Sequence, residues 1–332
     1  MRCLYIPILA MALAVAACGD DGDSGGDIDA AVDPDAGGLV PQAPTQISMV
    51  ASGGFEGPMD AVASPDGTMF YFTAHDTNAS DPTSTAAVFS VSSSGGAVEV
   101  MVSGAPLEDP SGLLMSCDGT TLYVSDLGYQ VDDAALAADQ DKAAIYTLDV
   151  GTQALTPLTA TGLGEAAGLA FNTDCSTLYV SGYTPDGDPA VFTLAPAGGT
   201  ASILAQGAPL ESPSGVYVDA NDIAWVMDHR DSDQLGGVLW AIDDAGNVDP
   251  VVNELSISEP AGVSLVAGGQ IAVIPSRDAN GMGQLITVDT VSGQQTIVQA
   301  AGIVEPAGIR TAIGAPVMAV VDTDGDAIFR AE

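Results

Sequence analysis

The fold of this chain is decided by the stretch Glu108-Asp109-Pro110-Ser111-Gly112 and by five related copies of it. Each copy starts with a glutamate, continues through small residues or proline, and leads into a short apolar run. The other copies read Glu56-Gly57-Pro58-Met59-Asp60, Glu165-Ala166-Ala167-Gly168, Glu211-Ser212-Pro213-Ser214-Gly215, Glu259-Pro260-Ala261-Gly262 and Glu305-Pro306-Ala307-Gly308. Aligned on Asp60 and the five glycines, successive copies lie 52, 56, 47, 47 and 46 residues apart. An internal period of this length is typical of propellers and solenoids.

Each of the six units contains four short strand-like stretches. In the third unit these stretches lie at 168–171, 177–181, 190–194 and 200–204. Turn sequences such as Ser64-Pro65-Asp66-Gly67 separate the first stretch from the second. Short alternating runs bounded by Gly, Asp and Pro predict antiparallel strands. Four-stranded antiparallel units in radial repetition predict an all-β fold, a six-bladed β-propeller.

The two ends of the repeat region predict how the ring closes. The sixth unit ends after three strands, and one additional strand, residues 46–51, stands before the first unit. Pairing this N-terminal strand with the last blade supplies the missing outer strand, so the sheet is left without an open edge at that point. We therefore expect one propeller over residues 45–332, closed by an N-terminal strand that completes the last blade.

The blade openings resemble those of six-bladed propellers of the NHL and SMP-30/gluconolactonase type. The resemblance extends over roughly residues 45–332 and is carried by Pro110-Ser111-Gly112-Leu113 and the turn Ser116-Cys117-Asp118-Gly119. The first opening, Phe55-Glu56-Gly57-Pro58, is similar to the SMP-30 opening, whose glutamate is a ligand of the catalytic divalent metal. That family takes further ligands from Asn and Asp beside the strand-opening glycine. At those positions this chain has Ser111, Ala167, Ser214, Ala261 and Ala307.

The N-terminus has the features of an export signal. Arg2 precedes a mostly apolar run over residues 4–17, which is shorter than the roughly 20 residues that a membrane-spanning helix needs. The sequence Val15-Ala16-Ala17-Cys18 is similar to the bacterial lipobox. It predicts a lipoprotein signal peptide at 1–17 and an acylated Cys18, and an ordinary signal cut after Ala16 is the alternative.

The segment after the signal predicts a tether. Residues 18–44 are rich in Asp, Gly and Ala, so they have little to pack and their like charges extend the chain. We expect the acylated cysteine and this acidic, disordered tether to hold the propeller in the cell envelope of a Gram-negative bacterium. Gly19 after the cysteine favours the outer membrane.

The chain is strongly acidic, with 44 Asp and Glu against 6 Lys and Arg and a formal net charge of -38. Binding of phosphate groups needs clustered Lys and Arg, so the acidic surface excludes nucleic acid as a partner. For the same reason the surface does not bind anionic lipid headgroups, and we expect contact with the membrane through the lipid anchor only. An acidic surface attracts cations and keeps molecules apart, so we expect a monomer. A solubility surface, or adaptation to a saline habitat, is the alternative explanation.

Propeller topology predicts where a site lies. The connections between blades and those from second to third strands share one face, which we call the mouth face, and ligands bind at such mouths. The residues expected there are the blade-start glutamates Glu56, Glu108, Glu165, Glu211, Glu259 and Glu305 and the second-strand ends Asp126, Asp228, His229 and Asp322. Converging carboxylates predict a site for Ca²⁺ or another divalent cation. The alternative is that each glutamate caps backbone N–H groups.

Two classes of function follow from these observations. The first is an envelope-anchored binding module whose acidic face takes a protein, a glycan or a small cationic ligand. The second is a divalent-metal-dependent hydrolase of SMP-30/gluconolactonase type with rearranged ligands. The chain has two histidines, and neither lies in a recognisable catalytic motif, so the sequence names no catalytic residue.

The cysteines predict one disulfide. Cys3 leaves with the signal and Cys18 is committed to lipid, so Cys117 and Cys175 are left to pair. Both follow the first strand of their units, in neighbouring blades, and export places them in an oxidising compartment. Two independent turn cysteines are the alternative, because Cys117 lies five residues past Gly112 and Cys175 seven past Gly168, so the turns differ in shape.

Overall fold

Six sheets of antiparallel strands form the blades of a β-propeller, which confirms the predicted fold. The structure, a computed structural model, describes residues 42–82, 84–127, 145–230, 236–257, 261–298 and 302–332. The predicted signal peptide, Cys18, most of the tether and Glu259 lie outside the described residues. Within the described ranges, no helix is long and apolar enough to cross a membrane.

The first strand of the chain, β1 (Ile47–Ser52), belongs to the last blade. The first blade contains β2 (Phe55–Glu56), β3 (Ala61–Ala63), β4 (Met69–Asp76), β5 (Ala86–Ser92) and β6 (Glu99–Ser103). The second contains β7 (Pro110–Met115), β8 (Thr121–Asp126), β9 (Ile145–Asp149) and β10 (Leu155–Pro157). A short strand β11 (Ala160–Thr161) precedes the third blade, which contains β12 (Glu165–Phe171), β13 (Leu178–Tyr183), β14 (Pro189–Leu194) and β16 (Ser202–Gln206). Strand β15 (Gly199–Thr200) pairs in parallel with β11.

The remaining three blades follow the same order. The fourth contains β17 (Ser212–Val218), β18 (Ala224–His229), β19 (Gly236–Ile242) and β20 (Val248–Ser256). The fifth contains β21 (Ser264–Val266), β22 (Ile271–Arg277), β23 (Gly283–Asp289) and β24 (Gln295–Val298), with a short 3-10 helix at Ala267–Gly269. The sixth contains β25 (Pro306–Thr311), β26 (Met318–Asp322) and β27 (Ala327–Ala331), and β1 is its outer strand.

The N-terminal strand closes the ring as predicted. Strand β1 pairs antiparallel with β27, with Ile47 opposite Ala331 and Ser52 opposite Ala327. Three strands of the sixth blade therefore come from the end of the repeat region and the fourth comes from its beginning. This pairing satisfies the backbone groups that β27 would otherwise expose at an open edge.

The core lies between neighbouring blades. Six clusters of buried apolar side chains fill the six interfaces between blades. Successive side chains of a strand point to opposite faces of the sheet. In β5, Val88 packs between the first and second blades, whereas Phe89 packs between the first and sixth and stacks on Phe72, with ring centroids 5.1 Å apart. A strand within a blade, such as β5, is thus buried on both faces, which explains why these strands are almost entirely apolar.

The repeated glycine is required by close approach of the blades at the axis. The pairing of β7 with β8 is irregular between Pro110 and Leu113, and the same irregularity recurs in the third, fourth and sixth blades. A Cβ at Gly112 would overlap the carbonyl oxygen of Ala167 in the next blade. Gly168 has the same relation to Ser214. The glycines therefore mark where each inner strand contacts its neighbour.

Cys117 and Cys175 are joined by a disulfide across the second and third blades. Their Cα atoms lie 6.4 Å apart and they are separated by 58 residues in sequence. Each lies in the turn between the first and second strands of its blade, on the face opposite the mouth face. The two turns have the same hydrogen bonds, but Cys117 is at the second position of its turn and Cys175 is at the fourth, where the second blade has Gly119. Cys175 accordingly has a positive φ of 61°.

Candidate functional site at the mouth of the propeller

The aspartates that end the second strands bind the backbone of the blade starts. Asp126 accepts hydrogen bonds from the N–H groups of Glu108 at 2.9 Å and Asp109 at 3.0 Å. Asp228 accepts from the N–H of Ser212 at 2.6 Å and from that of Glu211. Capping of backbone N–H groups was the alternative role predicted for the glutamates, but in these blades the aspartate side chains perform it.

Asp322 has the same role in the sixth blade. It accepts from the N–H groups of Val304 at 2.8 Å and Glu305 at 2.7 Å, and from that of Gly325 in the following turn. Burial raises the pKa of Asp322, and these backbone hydrogen bonds partly offset the rise. The three aspartates are buried. Their oxygens accept from backbone N–H groups, and Asp228 accepts in addition from Trp240 Nε1–H at 2.9 Å.

The blade-start glutamates have different surroundings. Glu56 and Glu211 are exposed, and Glu108 is partly buried. Glu305 forms an ion pair with Arg277 of the fifth blade. Glu165 is partly buried, and burial raises the pKa of its carboxyl group. Of the five glutamates within the described residues, Glu165 alone lines the large cavity of the mouth face.

The positions that hold metal in the resembled lactonase family do not fit a metal here. No group of three or more His, Cys, Asp or Glu is placed to hold a metal ion among the residues that the structure describes. Ser111, Ala167 and Ser214 instead accept hydrogen bonds at their carbonyl oxygens from Thr73, Ser125 and Ser181 of the preceding blades. These positions therefore serve the contact between blades. Binding of Ca²⁺ elsewhere on the acidic face stays a prediction.

A cavity of about 710 Å³ opens on the mouth face over the second, third and fourth blades. Its polar wall is formed by two cross-strand pairs. Glu165 lies opposite Tyr183 in the third blade, and Ser212 lies opposite His229 in the fourth. The Tyr183 hydroxyl donates to Ser212 Oγ at 2.9 Å, which joins the two pairs across the blade interface. We call this cavity the mouth pocket.

Apolar side chains complete the mouth pocket. Met59, Leu127, Pro185 and Pro213 line it, and no Lys or Arg does so within the described ranges. Its walls come from strand ends and loops of the first four blades, which are held by the capping aspartates and by the blade cores. The pocket thus combines an apolar body, an aromatic ring and one carboxylate, an arrangement typical of small-molecule sites.

Sequence reasoning placed Glu165 and His229 at this face but missed Tyr183 and Ser212. Gly182 lies opposite Ala166, at the register position that Asp126, Asp228 and Asp322 occupy in the second, fourth and sixth blades. The third blade therefore has no capping aspartate at the point where it lines the mouth pocket.

Comparison with known proteins identifies the architecture. No protein-family model matches the chain, and no curated protein matches it. The chain is similar over 88% of its length to a gluconolactonase-like protein of solved structure, of which it covers 93%, with a TM-score of 0.59 at 15% identity. The chain is a six-bladed β-propeller.

Two further solved structures are similar. A Bacteroides thetaiotaomicron protein of unknown function matches 87% of this chain and is itself covered over 72%, with a TM-score of 0.60 at 13% identity. TolB from Acinetobacter baumannii matches 83% of this chain and is covered over 54%, with a TM-score of 0.52 at 15% identity. At these identities the likeness shows the fold alone.

A buried ion pair closes the axis of the propeller. Asp60 occupies the position that is glycine in the other five blades, and it accepts from the N–H of Leu113 at 2.9 Å. Arg310 of the sixth blade reaches across the axis and donates to the carbonyl oxygens of Val216 at 3.0 Å and Leu169. The side chains of Arg310 and Asp60 are 9% and 10% exposed. Neither was singled out for this role by the sequence.

We expect Asp60 to make the propeller more stable in mild acid. Burial raises the pKa of Asp60 from its ordinary value of 3.8 to about 6, although Arg310 opposes the rise. The folded chain then binds this proton more tightly than the unfolded chain, so the free energy of unfolding falls as pH rises between these values. Over this pH range the free energy of unfolding falls by about 3 kcal/mol, at 1.36 kcal/mol for each pKa unit. Denaturant unfolding of wild type and Asp60→Asn at pH 4 and pH 7 measures it.

The control for this prediction is Asp66, which lies in an exposed turn. Hydrogen bonds from Ser64 and Thr68 lower the pKa of Asp66, so its contribution to stability is lost as pH falls. The difference between wild type and Asp66→Asn should therefore have the opposite pH dependence. Equal pH profiles for wild type and Asp60→Asn would contradict the assignment to Asp60.

Proposed function

We propose that this chain is an envelope-anchored binding module that takes a small organic cation in the mouth pocket. The observation that carries the proposal is the lining of the pocket, in which the Glu165 carboxylate and the Tyr183 ring stand beside apolar side chains. An aromatic face and a partly desolvated carboxylate both favour a cation. The net charge of -38 also raises the concentration of cations around the molecule, which favours a cationic ligand as well.

A pocket of this size favours a small molecule over a protein or glycan surface. A volume of about 710 Å³ lies within the range of small-molecule sites, and a concave apolar wall desolvates the ligand body. Glu165 would be the counter-ion. Because burial raises the pKa of Glu165, affinity for a cation falls when the pH drops below that raised value.

Replacing Glu165 with glutamine is expected to weaken cation binding by about tenfold, because one charge interaction in a partly dry pocket is lost. Calorimetric titration with quaternary ammonium ions, from tetramethylammonium to benzyltrimethylammonium, measures the change. Glu56→Gln is the matched control, since Glu56 is exposed and does not line the pocket. Binding of the uncharged carbon isosteres as tightly as the cations, or no binding of any cation at millimolar concentration, would contradict the proposal.

Calcium is tested as an alternative ligand, with the melting temperature as the measurement. If a divalent cation is the ligand of the acidic face, calcium should raise the melting temperature beyond the effect of sodium at equal ionic strength. A hydrolase of lactonase type would in addition need that metal for turnover of a lactone. Equal shifts from calcium and sodium would leave the organic cation as the ligand class.

The envelope location is proposed from the lipobox-like sequence before Cys18. Replacing Cys18 with serine is expected to move most of the protein from the membrane fraction to the soluble fraction, because the acyl chains supply the membrane affinity. Cys3→Ser is the control, since Cys3 lies within the predicted signal peptide. Wild-type protein that is soluble and begins at Ala17 would show that no lipid is attached.

A further inference from the structure

A small cavity lies on the axis directly below the mouth pocket. It has about 20 Å³ of free space, and Asp60 and Arg310 are the charged side chains among the described residues that line it. Ser111, Ala167 and Ser214 line both this axial cavity and the mouth pocket, so the two spaces adjoin. A space of this volume admits one water-sized group.

The ion pair at this cavity is incomplete. Arg310 Nε is buried and has no hydrogen-bond partner among the described residues. Its distance to Asp60 Oδ2 is 4.0 Å, which is too long for a direct hydrogen bond. The other two guanidinium nitrogens donate to carbonyl oxygens of the third and fourth blades. The unpartnered Nε and the carboxylate oxygen therefore belong to two side chains that both line the axial cavity.

The chemistry of this gap selects its occupant. A group there has to accept a hydrogen bond from Nε–H and donate one to the carboxylate. A chloride ion can accept but is repelled by Asp60, and a metal ion is repelled by Arg310. A hydroxyl oxygen does both, because it carries a donor and two acceptor lone pairs.

We propose that the axial cavity is a binding site for a single hydroxyl oxygen, held between Arg310 Nε and Asp60 Oδ2. The oxygen is a water molecule in the free protein, or the hydroxyl arm of a ligand seated in the mouth pocket. The second source rests on the function proposed above and makes the preferred ligand a hydroxylated organic cation. The first source does not depend on that function.

A crystal structure of the wild-type chain tests the site itself. We expect one oxygen within about 2.7–3.2 Å of both Nε and Oδ2. Direct contact between Nε and Oδ2 with nothing between them would overturn the proposal. An anomalous signal for bromide at this position, after a bromide soak, would overturn it as well.

Paired ligands distinguish the two sources. Trimethylammonium ions with alkyl arms of increasing length are compared, each arm ending either in hydroxyl or in methyl. If the ligand supplies the oxygen, one hydroxyl member should bind about tenfold tighter than its methyl partner. This excess should vanish in Asp60→Gly, which restores the glycine of the other blades, and persist in Glu56→Gln.

The two proposals fail separately. Equal binding within every pair, together with an ordered oxygen in the crystal, assigns the site to water. Binding of none of the cations, with the oxygen present, rejects the proposed function and keeps the axial site. Tighter binding of the methyl members, together with an empty cavity, rejects the axial site and keeps the mouth pocket.

Discussion

Replacing Arg310 with methionine is expected to lower the free energy of unfolding by about 3–5 kcal/mol, the usual cost of removing one partner of a buried ion pair. The substitution leaves the Asp60 carboxylate buried without its counter-charge. It also removes the donors to the carbonyl oxygens of Leu169 and Val216. Arg310 joins the sixth blade to the third and fourth, so the substitution removes contacts between blades at the axis of the propeller. Denaturant unfolding at pH 7 measures the change.

Arg277→Met is the matched control for this prediction. Arg277 also forms an ion pair, with Glu305, but at the surface of the mouth face, where the side chains are 23% and 19% exposed. Solvent-exposed pairs contribute roughly 0–1 kcal/mol, so this partly exposed pair is expected to contribute less than the axial pair. Combining Arg310→Met with Asp60→Gly should recover most of the stability, because the uncompensated charge is then removed. Equal effects of the two arginine substitutions would show that the axial pair has no special role.

Removing the disulfide is the second change with a large expected effect. Replacing both Cys117 and Cys175 with serine should lower the free energy of unfolding by up to roughly 4 kcal/mol, because a cross-link over 58 residues restricts the unfolded chain. The bridge connects surface turns and no core side chain is lost. The fold should therefore persist, with a lower denaturant midpoint.

The control is reduction of the wild-type protein, which should reproduce the midpoint of the double serine variant. Reduction of that variant should change nothing. Mass spectrometry of a digest prepared without reduction should find the peptides of Cys117 and Cys175 linked. Recovery of both cysteines as free thiols would contradict the disulfide.

The architecture could be predicted from sequence because its causes are local and repeated. A glycine lies at the close contact of an inner strand with the next blade, as at Gly112, and it recurs once in five of the six blades. Strand β1 could be assigned to the last blade by counting strands. Both features follow from periodicity, which a single sequence displays directly.

The roles of the mouth carboxylates could be predicted only in part. Position along the strand placed Asp126, Asp228 and Glu165 on one face, since the first strand of an antiparallel blade begins where the second strand ends. Whether a carboxylate contacts a backbone N–H or lines a cavity depends on the tertiary packing around it. Asp228 caps Ser212, whereas Glu165 lines the mouth pocket, although both lie at the mouth face.

The sequence by itself determined the six blades, their closure and the two cysteines available for a bridge, because each depends on spacing along the chain. Only the tertiary structure decided which side chains share a cavity. Asp60 and Arg310 are 250 residues apart in sequence yet meet at the axis, and Tyr183 reaches Ser212 from the adjoining blade. Contacts between blades depend on the radial packing of whole sheets, and no local pattern of residues records that packing.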